Sequence, residues 1–372
     1  MIIIRPRAAG GILSHIRDEH RMLTAAGHPT LDAGPTDDAI PASAIHHHGM
    51  PIGARPHPLR DLRAVLALRT LLGRSPGVAV HAHGVRAGAL AVLARRGCAP
   101  ERRGRLIVTL HNALPTRGVS AAVGAVLLRI TARGADGILA VSPDLADAAR
   151  AAGAEQVERA VIPAQRPGAT DAPRDSEELA SARRDGRDPN PSRGTDTDSE
   201  PLRLLMPARL APQKDIPTAL AAMALLKERG MGPVRLDIAG EGPLRHHLEQ
   251  LIAGSGEEAH LLGHRTDLPA LMADADVIVQ SSAWEGQPVA IQEALHRGCA
   301  VIATDAGGTR WVTEDAALLV PPADPSALAD AIVQMSDAAV RADFRLRALR
   351  RSHSLPGDAD LLEQITRLLQ LD

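Results

Sequence analysis

Short apolar runs alternate with longer amphipathic segments along most of the chain. The runs are MIIIRP, GVAVHAHG, RLIVTLHN, GILAVSP and RAVIP, then LRLLMPARL, VRLDIAGEG, AHLLGH, ADVIVQSS, CAVIATD and ALLVPP. Such runs are typical of strands buried on both faces of a parallel sheet. The intervening segments have helical spacing, as at Leu59–Leu72 and Asp144–Ala152. The alternation predicts an α/β fold rather than a helical bundle.

A stretch of different composition divides the chain. Residues 164–201 are rich in Pro, Gly, Ser, Asp and Arg and contain almost no large apolar side chains. Such a segment cannot bury enough surface to offset the entropy of ordering it. We therefore predict two Rossmann-like domains, at 1–163 and 202–357, joined by a disordered linker at 164–201. The helical spacing of 358–372 predicts a last helix that returns to the first domain.

Composition narrows the functional classes. The chain of 372 residues has a formal net charge of −2, which argues against general binding to nucleic acid. Cys98 and Cys299 are isolated, so neither a disulfide framework nor a zinc motif is indicated. We expect a cytoplasmic protein, because the first apolar run is too short for a signal peptide and no run reaches membrane-spanning length.

Two glutamates follow a predicted strand of the second domain. In ADVIVQSSAWEGQPVAIQEAL, Glu285 lies in the loop before a helix that Pro288 can start, and Glu293 lies more than one turn inside it. Ligands of open parallel sheets bind where strands end and helices begin. The carboxylates can therefore accept hydrogen bonds from vicinal hydroxyls. Alternatively, Glu293 is solvated and Glu285 only favours the helix dipole.

Cations and glycines occupy similar positions. Arg209 and Lys214 follow the first strand of the second domain, in PARLAPQKDIPTAL, where two cations beside a helix start suit a diphosphate. Loop cations are also commonly solvated. Glycine turns at Ala8–Gly11, Gly240–Pro243 and Ala306–Thr309 let backbone amides approach phosphates, or serve only to join strand to helix. None matches GxGxxG, so a nicotinamide oxidoreductase is not indicated.

Segments in both domains resemble the retaining glycosyltransferases of the GT-B fold, family four. The second domain carries the resemblance in RLAPQKDIPTAL, IAGEGPLRHHLEQL and WEGQPVAIQEALHRGCAVIATDAGG, and the first in GGILSHIRDEHRMLTAAGH, VHAHGVRAG and VTLHN. It covers nearly the whole chain except the linker. The resemblance implies two Rossmann-like domains facing across a cleft, with the C-terminal helix crossing back to the first domain.

The resemblance also implies residue roles. Arg209 and Lys214 would hold the donor diphosphate, Glu293 the ribose hydroxyls and Glu285 the hydroxyls of the donor sugar. His111, in VTLHN, would approach the transferred sugar from the first domain. The remaining donor-binding positions are glycines that admit phosphates and residues at a helix start: Gly10, Gly11, Gly242, Gly286, Gln287, Pro288 and Val289.

The expected reaction is transfer of a sugar, with retention, from a UDP-, GDP- or ADP-linked donor to a hydroxyl of a glycan, lipid or small molecule. Neither a cofactor nor a metal is expected. The family's usual Asn-Gly pair is replaced by Ala164 and Gln165. This departure leaves a catalytically silent nucleotide-sugar-binding protein open, beside a nucleotide-sugar epimerase of similar fold.

Two surface features complete the expectations. Four arginines, Arg60, Arg63, Arg69 and Arg74, lie near an apolar face of the helix at 57–74. They indicate peripheral binding to an anionic membrane at the inner face of the plasma membrane, or a solvated surface. The run His46–His48 is predicted to lie in a solvated or acceptor-side loop.

Overall fold

The computed structural model describes residues 1–7, 11–35, 40, 46–53, 57–164, 200–255 and 258–371. The chain divides into two compact units. The first comprises Met1–Pro163 with Pro356–Asp372, and the second comprises Ala164–Leu355. Gly10 and residues 165–199, which include most of the predicted linker, lie outside the described residues.

The first unit contains a parallel sheet whose described strands run in the order β3-β2-β1-β4-β5-β6-β7. The central strands are almost fully buried, because helices cover both faces of such a sheet, and they are apolar except for His81 and His83 of β4 and Thr109 of β5. The strands are β1 (Ile2–Ile4), β2 (Leu31–Gly34), β3 (His46–Gly49), β4 (Val80–His83), β5 (Leu106–Leu110), β6 (Gly137–Ala140) and β7 (Val157–Arg159).

Helices lie between consecutive strands of this unit, apart from β2 and β3. They are α1 (Gly11–Ala25), α2 (Pro58–Arg74), α3 (Val85–Arg96), α4 (Gly118–Ala132) and α5 (Pro143–Ala151). Helix α2 begins where the side chain of His57 accepts a hydrogen bond from the backbone amide of Arg60 and proline occupies the first turn. Helix α3 packs between α2 and α4.

The second unit contains a parallel sheet whose described strands run in the order β10-β9-β8-β11-β12-β13. They are β8 (Leu202–Pro207), β9 (Val234–Ala239), β10 (Ala259–Gly263), β11 (Val277–Gln280), β12 (Ala300–Thr304) and β13 (Leu318–Val320). The helices are α6 (Ile216–Glu228), α7 (Arg245–Ser255), α8 (Leu268–Asp274), α9 (Val289–His296), α10 (Thr309–Thr313), α11 (Pro325–Met335) and α12 (Ala338–Ser354). The core is aliphatic, with Phe344 at its edge.

The last helix, α13 (Asp358–Leu369), belongs to the first unit, as the sequence predicts. The side-chain amide of Gln364 accepts from the backbone amide of Val161 at 2.9 Å and donates to the carbonyl of Arg159 at 2.9 Å. Arg367 forms an ion pair with Glu158 at 2.7 Å. No helix in the described part of the chain combines the length and apolar character needed to cross a membrane.

The strand predictions need three corrections in the first unit. His46–His48 form edge strand β3 rather than a loop, because His47 Nδ1 lies 2.7 Å from the buried carboxylate of Asp32. Strand β2 was not anticipated, since Asp32 interrupts its apolar pattern and is neutralised by buried Arg5. The strand expected at Arg159–Pro163 lies earlier, at Val157–Arg159, because the residues that follow contact α13.

Candidate functional site

The loops that follow β8 and β11 are joined by hydrogen bonds. Strand β8 lies between β9 and β11, so these loops emerge side by side where the strand order reverses. The backbone amide of Ala283 donates to the carbonyl of Gln213 at 2.9 Å, and the Gln213 side chain donates to the carbonyl of Trp284 at 2.8 Å. Ser281 Oγ donates to the carbonyls of Lys214 and Asp215. The two loops therefore form one rigid platform.

Lys214 and Glu285 meet on this platform. Lys214 Nζ donates to Glu285 Oε1 at 2.5 Å. The lysine ends a short 3₁₀ helix, Pro212–Lys214, and the next residue, Asp215, has a φ of 42°. This left-handed residue turns the chain directly into α6. The ammonium is partly exposed, and the carboxylate is nearly buried. The ion pair holds the ammonium of Lys214 where the loops after β8 and β11 meet.

Arg209 lies beside the glycine turn that follows β9. The backbone amide of Leu210 donates to the carbonyl of Glu241 at 2.9 Å, and a Cβ added to Gly242 would lie 2.3 Å from the carbonyl oxygen of Leu210. Only glycine fits this close approach. Arg209 itself is exposed, and no ion pair joins it to any residue that the structure describes. Its guanidinium is available to an anion.

Helix α9 begins at this platform. Gly286, Gln287 and Pro288 lead into the helix, which starts at Val289, and the carbonyl of Pro288 accepts from the third and fourth amides that follow it. The first amides of any helix lack intrahelical partners and carry partial positive charge. They are donors for an anionic ligand.

Glu293 lies one turn inside α9 and is half-buried. Burial raises the pKa of its carboxyl, and the guanidinium of Arg297 opposes this shift only in part. Arg297 donates to the backbone carbonyl of Glu293 at 3.0 Å rather than to its carboxylate. Among the described residues the carboxylate has no ion-pair partner, so it can accept hydrogen bonds from a ligand diol.

A third loop, after β12, fixes the backbone of Glu285. Gly307 has a φ of 59°, and a Cβ added there would lie 1.9 Å from the carbonyl oxygen of Glu285. The same carbonyl accepts from the amide of Gly308 at 2.9 Å. Gly307 and Gly308, which lie in the predicted glycine turn at Ala306–Thr309, therefore hold the backbone of Glu285 in place.

The second unit therefore gathers two cations, a helix start and two carboxylates at the ends of β8, β9 and β11. The cations and the helix amides suit a diphosphate, and the carboxylates suit hydroxyl groups. Arg209, Lys214, Gly242, Glu285, Glu293 and the segment from Gly286 to Val289 all lie in the loops that follow β8, β9 and β11 or in the first turns of α9, and an ion pair joins Lys214 to Glu285. The other predicted site residues belong to the first unit.

In the first unit, Gly11 starts α1 and His111 follows β5. His111 is 9% exposed, and its Nε2 lies 2.9 Å from His83 Nδ1. Burial, together with neighbouring histidines, holds the pKa of His111 well below its usual range, so the ring is neutral at pH 7. Gly10 lies outside the described residues.

Sequence reasoning missed the surroundings of His111, a histidine cluster formed by His15, Glu19, His81, His83 and His111. Glu19 Oε1 lies 2.6 Å from His81 Nδ1, and Glu19 Oε2 lies 3.1 Å from His83 Nε2. Two overlapping triplets of the cluster bring possible metal-ligand atoms within 4.8 Å of one another. The sequence contained a signal for part of this cluster. His81 and His83 are two positions apart in a strand, and His15 and Glu19 are four positions apart in a helix, so the members of each pair lie on one face.

Comparison with known proteins identifies both units. Residues 10–165 match the family described as "Glycosyl transferase 4-like domain", and residues 201–338 match "Glycosyl transferases group 1". The chain is similar to HepE of Anabaena, solved in complex with UDP-glucose, with a TM-score of 0.74, 19% identity and coverage of 100% of this chain and 99% of that one. This likeness establishes the shared fold.

Curated relatives match over a shorter length. EpsD of Bacillus subtilis is 35% identical over 136 residues, 36% of this chain and 35% of EpsD. UDP-Gal:alpha-D-GlcNAc-diphosphoundecaprenol alpha-1,3-galactosyltransferase of Escherichia coli is 30% identical over 138 residues, 36% of each chain. The matched part thus spans little more than a third of these relatives. The two domain matches and the fold together show that this chain belongs to the group 1, family four glycosyltransferases and has the GT-B fold.

Proposed function

We propose that the protein transfers a sugar, with retention of anomeric configuration, from a UDP-linked donor to an acceptor hydroxyl. The observation that carries the proposal is the ion pair of Lys214 with Glu285, which joins the loops after β8 and β11 just before the start of α9. The choice of UDP is supported by HepE, which was solved with UDP-glucose, and by the Escherichia coli relative, whose name specifies UDP-Gal.

The residues support the following step. The bond between the anomeric carbon and the β-phosphate oxygen breaks, and its electron pair goes to the phosphate. Arg209, Lys214 and the amides at the start of α9 stabilise the charge on this leaving group. The acceptor oxygen attacks from the face that the phosphate leaves, and its proton goes to a phosphate oxygen. Glu285 is engaged by Lys214, so it is not a free nucleophile for a covalent double displacement.

We further propose that a divalent cation is not required. A metal in such reactions neutralises the diphosphate, and here Arg209 and Lys214 supply two fixed positive charges for the same purpose. Turnover measured with excess EDTA should equal turnover without it. A loss that added Mg²⁺ or Mn²⁺ restores would overturn this part of the proposal.

A membrane-bound lipid is the proposed acceptor, since the Escherichia coli relative is named for a diphosphoundecaprenol substrate. On α2 the side chains of Leu59, Leu62 and Leu66 are 64%, 56% and 53% exposed, at positions i, i+3 and i+7 of one helix face. Arg60 and Arg63 are exposed beside them. An apolar stripe flanked by arginines fits the interface of an anionic bilayer.

Helix α4 extends this surface. Val119, Val123 and Val126 are exposed, the helix contains no acidic residue, and Arg117 and Arg129 are exposed near its ends. Helix α3 packs between α2 and α4. We propose that the three helices contact the cytoplasmic leaflet of a membrane, whose anionic lipids attract the arginines.

Vesicle sedimentation tests the membrane contact. The protein should pellet with vesicles containing phosphatidylglycerol and much less with pure phosphatidylcholine, and Leu62→Asp should abolish pelleting. Val333→Asp is the matched control, because Val333 is an exposed apolar residue of the second unit. Equal binding of wild type and Leu62→Asp would overturn the assignment of this surface.

Product analysis tests the transferase itself. Donors linked to UDP, GDP and ADP are incubated with a polyprenyl-diphosphate sugar acceptor, and products are identified by mass spectrometry and by the anomeric coupling constant in NMR. We expect a UDP-sugar to give a product with the donor's own anomeric configuration. An isomerised donor would indicate the epimerase instead, and donor binding without any product would indicate a silent binding protein.

A further inference from the structure

Five arginines line a groove at the edge of the first unit's sheet where its strands begin. Arg105 directly precedes β5, Asp136 directly precedes β6, and α3 ends at Arg96. The groove has a volume of about 600 Å³, which is within the range of small-molecule sites. Its arginines are Arg95, Arg96, Arg103, Arg105 and Arg133, and its acidic residues are Asp136 and Glu155. Five positive charges against two negative ones leave the groove strongly basic.

Two of these arginines are engaged by the protein itself. Arg95 forms an ion pair with Asp136 at 2.8 Å. Arg103 donates to the backbone carbonyls of Cys98 and Arg96, at 3.0 and 3.1 Å. Both carbonyls lie at or just beyond the end of α3, where backbone carbonyls lack intrahelical partners. Arg95 and Arg103 therefore serve the fold, and the charge of Asp136 is already neutralised.

The guanidinium groups of Arg96, Arg105 and Arg133 form no ion pair or hydrogen bond with any residue that the structure describes. Arg105 is half-buried, and its Nε is shielded from solvent without a hydrogen-bond partner. Arg133 lies against the backbone of Gly153, where an added Cβ would come within 3.2 Å of the arginine Nε. The groove thus holds unpaired cations in defined positions.

Helix dipoles alone do not account for these cations. The last turns of α3 and α4 carry partial negative charge, which favours basic residues such as Arg95 and Arg96. Arg105 belongs to neither helix, since it lies in the loop before β5. A shielded donor without a partner costs free energy, and like charges that share a groove repel one another. A ligand with several negative charges would remove both costs.

We propose that this arginine groove binds a soluble ligand that carries two or more phosphate groups. Guanidinium groups suit phosphate oxygens because their N–H donors bind in pairs. A flat bilayer surface does not reach half-buried Arg105, so the ligand is soluble rather than a lipid head group. All strands of a parallel sheet run in one direction, so the groove lies at the opposite edge of the sheet from His111, which follows β5.

Titration calorimetry with inorganic tripolyphosphate, at low and constant ionic strength, tests the proposal. Every variant also carries Lys214→Ala, which removes the phosphate contact proposed for the second unit. The dissociation constant should rise about tenfold or more in Arg105→Gln and in Arg133→Gln, because each loses a charged hydrogen bond to the ligand. Orthophosphate should bind much more weakly than tripolyphosphate, since it reaches fewer of the arginines.

Two further variants separate the groove from a general effect of charge. Arg17→Gln removes an exposed arginine from α1 and changes the net charge by the same amount, so the dissociation constant should change less than about twofold. Glu155→Gln removes a repulsive charge from the groove and should strengthen binding about threefold. Equal effects of Arg105→Gln, Arg133→Gln and Arg17→Gln, or no binding of tripolyphosphate at all, would overturn the proposal.

Thermal unfolding distinguishes a ligand site from a structural role. Without ligand, Arg105→Gln and Arg133→Gln should unfold at the same temperature as the parent protein or at a higher one, because repulsion within the groove is relieved. Tripolyphosphate should raise the unfolding temperature of the parent more than that of either variant, and more than sodium chloride at equal ionic strength does. Lower unfolding temperatures of both variants without ligand would show that the arginines serve the fold and would overturn the proposal.

Vesicle sedimentation separates a soluble ligand from a lipid head group. Arg105→Gln should pellet with phosphatidylglycerol vesicles as the wild type does. Loss of pelleting in Arg105→Gln, together with no binding of tripolyphosphate, would assign the groove to lipid phosphates and overturn the soluble ligand. None of these measurements needs a sugar donor, so they decide the proposal even if no glycosyl transfer is found.

Discussion

Lys214 is paired with Glu285 at 2.5 Å, so the cation assigned to the diphosphate is already partly neutralised. A donor that binds here must share Lys214 with the carboxylate or release the carboxylate to another partner. The hydroxyls of the donor sugar are such partners. The pair therefore couples recognition of the phosphate to recognition of the sugar.

Glu285→Gln should separate these two forms of recognition. With the competing charge removed, UDP without a sugar should bind equally well or up to about tenfold more tightly. The sugar should lose its contribution, so the ratio of UDP-sugar affinity to UDP affinity falls and kcat falls with it. Titration calorimetry with both ligands measures the ratio. Parallel weakening of both ligands would contradict the coupling.

Lys214→Ala should lower kcat by about a hundredfold or more, because a fixed charge next to the leaving group is lost. The fold should persist, since the ammonium is 23% exposed. Lys227→Ala provides the control at the other lysine of the chain, in the last turn of α6. Transfer rates and circular dichroism distinguish the outcomes. A rate for Lys214→Ala close to that of Lys227→Ala would contradict a role in stabilising the leaving group.

Glu293 should recognise the ribose, and a modified ligand can show this directly. In wild type, replacing UDP by 2′-deoxy-UDP should weaken binding about tenfold, because the half-buried carboxylate loses a hydroxyl partner. In Glu293→Gln the 2′-hydroxyl should matter much less. A double-mutant cycle that combines Glu293→Gln with removal of the 2′-hydroxyl gives the coupling energy between the carboxylate and that hydroxyl. If removal of the 2′-hydroxyl weakened binding equally in wild type and in Glu293→Gln, the ribose would not contact Glu293.

Gly242 tests the close packing beside Arg209. In Gly242→Ala the new Cβ would meet the carbonyl of Leu210 at 2.3 Å, so the backbone around Arg209 must shift and UDP binding should weaken at least tenfold. Gly254→Ala, in α7, meets nothing within 4 Å and should raise stability by about 0.5–1 kcal/mol without affecting binding. Calorimetry and urea unfolding compare the two variants. Unchanged binding in Gly242→Ala would show that the turn has only a structural role.

Most of the fold could be predicted, because strands of a parallel sheet that are buried on both faces consist of apolar runs. The exceptions have physical causes. Strand β2 contains Asp32, which is tolerated only because Arg5, distant in sequence, lies against it with both side chains fully buried. Edge strand β3 consists of histidines, which satisfy neither the apolar nor the alternating pattern. Long-range pairing of this kind leaves no local signal.

The candidate site shows the same division. Glu285, Glu293, Arg209 and Lys214 were predicted because each follows a strand of a parallel sheet, where ligand-binding loops collect. The contacts among these side chains could not be predicted from the sequence. The 2.5 Å pair of Lys214 with Glu285 depends on the order of the strands, which places β8 beside β11. The histidine cluster likewise required knowing that α1, β4 and β5 meet.

The neutral histidines of the cluster should make the first unit sensitive to mild acid. Burial lowers the pKa values of His15, His83 and His111, in the case of His83 from 6.5 to about 3. The unfolded chain therefore binds protons below pH 6.5 that the folded chain does not. Each of these histidines makes its full contribution to the free energy of unfolding above pH 6.5. The contribution is lost progressively as the pH falls from 6.5 towards the pKa that the histidine has in the folded protein.

For His83 alone, lowering the pH from 7.5 to 5.0 should reduce the free energy of unfolding by about 2 kcal/mol. The depressed pKa of Glu19 adds its own loss only at lower pH, below 4.5. Urea unfolding at pH 7.5 and 5.0 measures the change by circular dichroism. His83→Gln should be less stable at pH 7.5 and lose less stability on acidification. Trp284 and Trp311 both belong to the second unit, so tryptophan fluorescence should show a smaller pH dependence. Equal acid sensitivity by both probes, unchanged in His83→Gln, would show that the cluster does not control it.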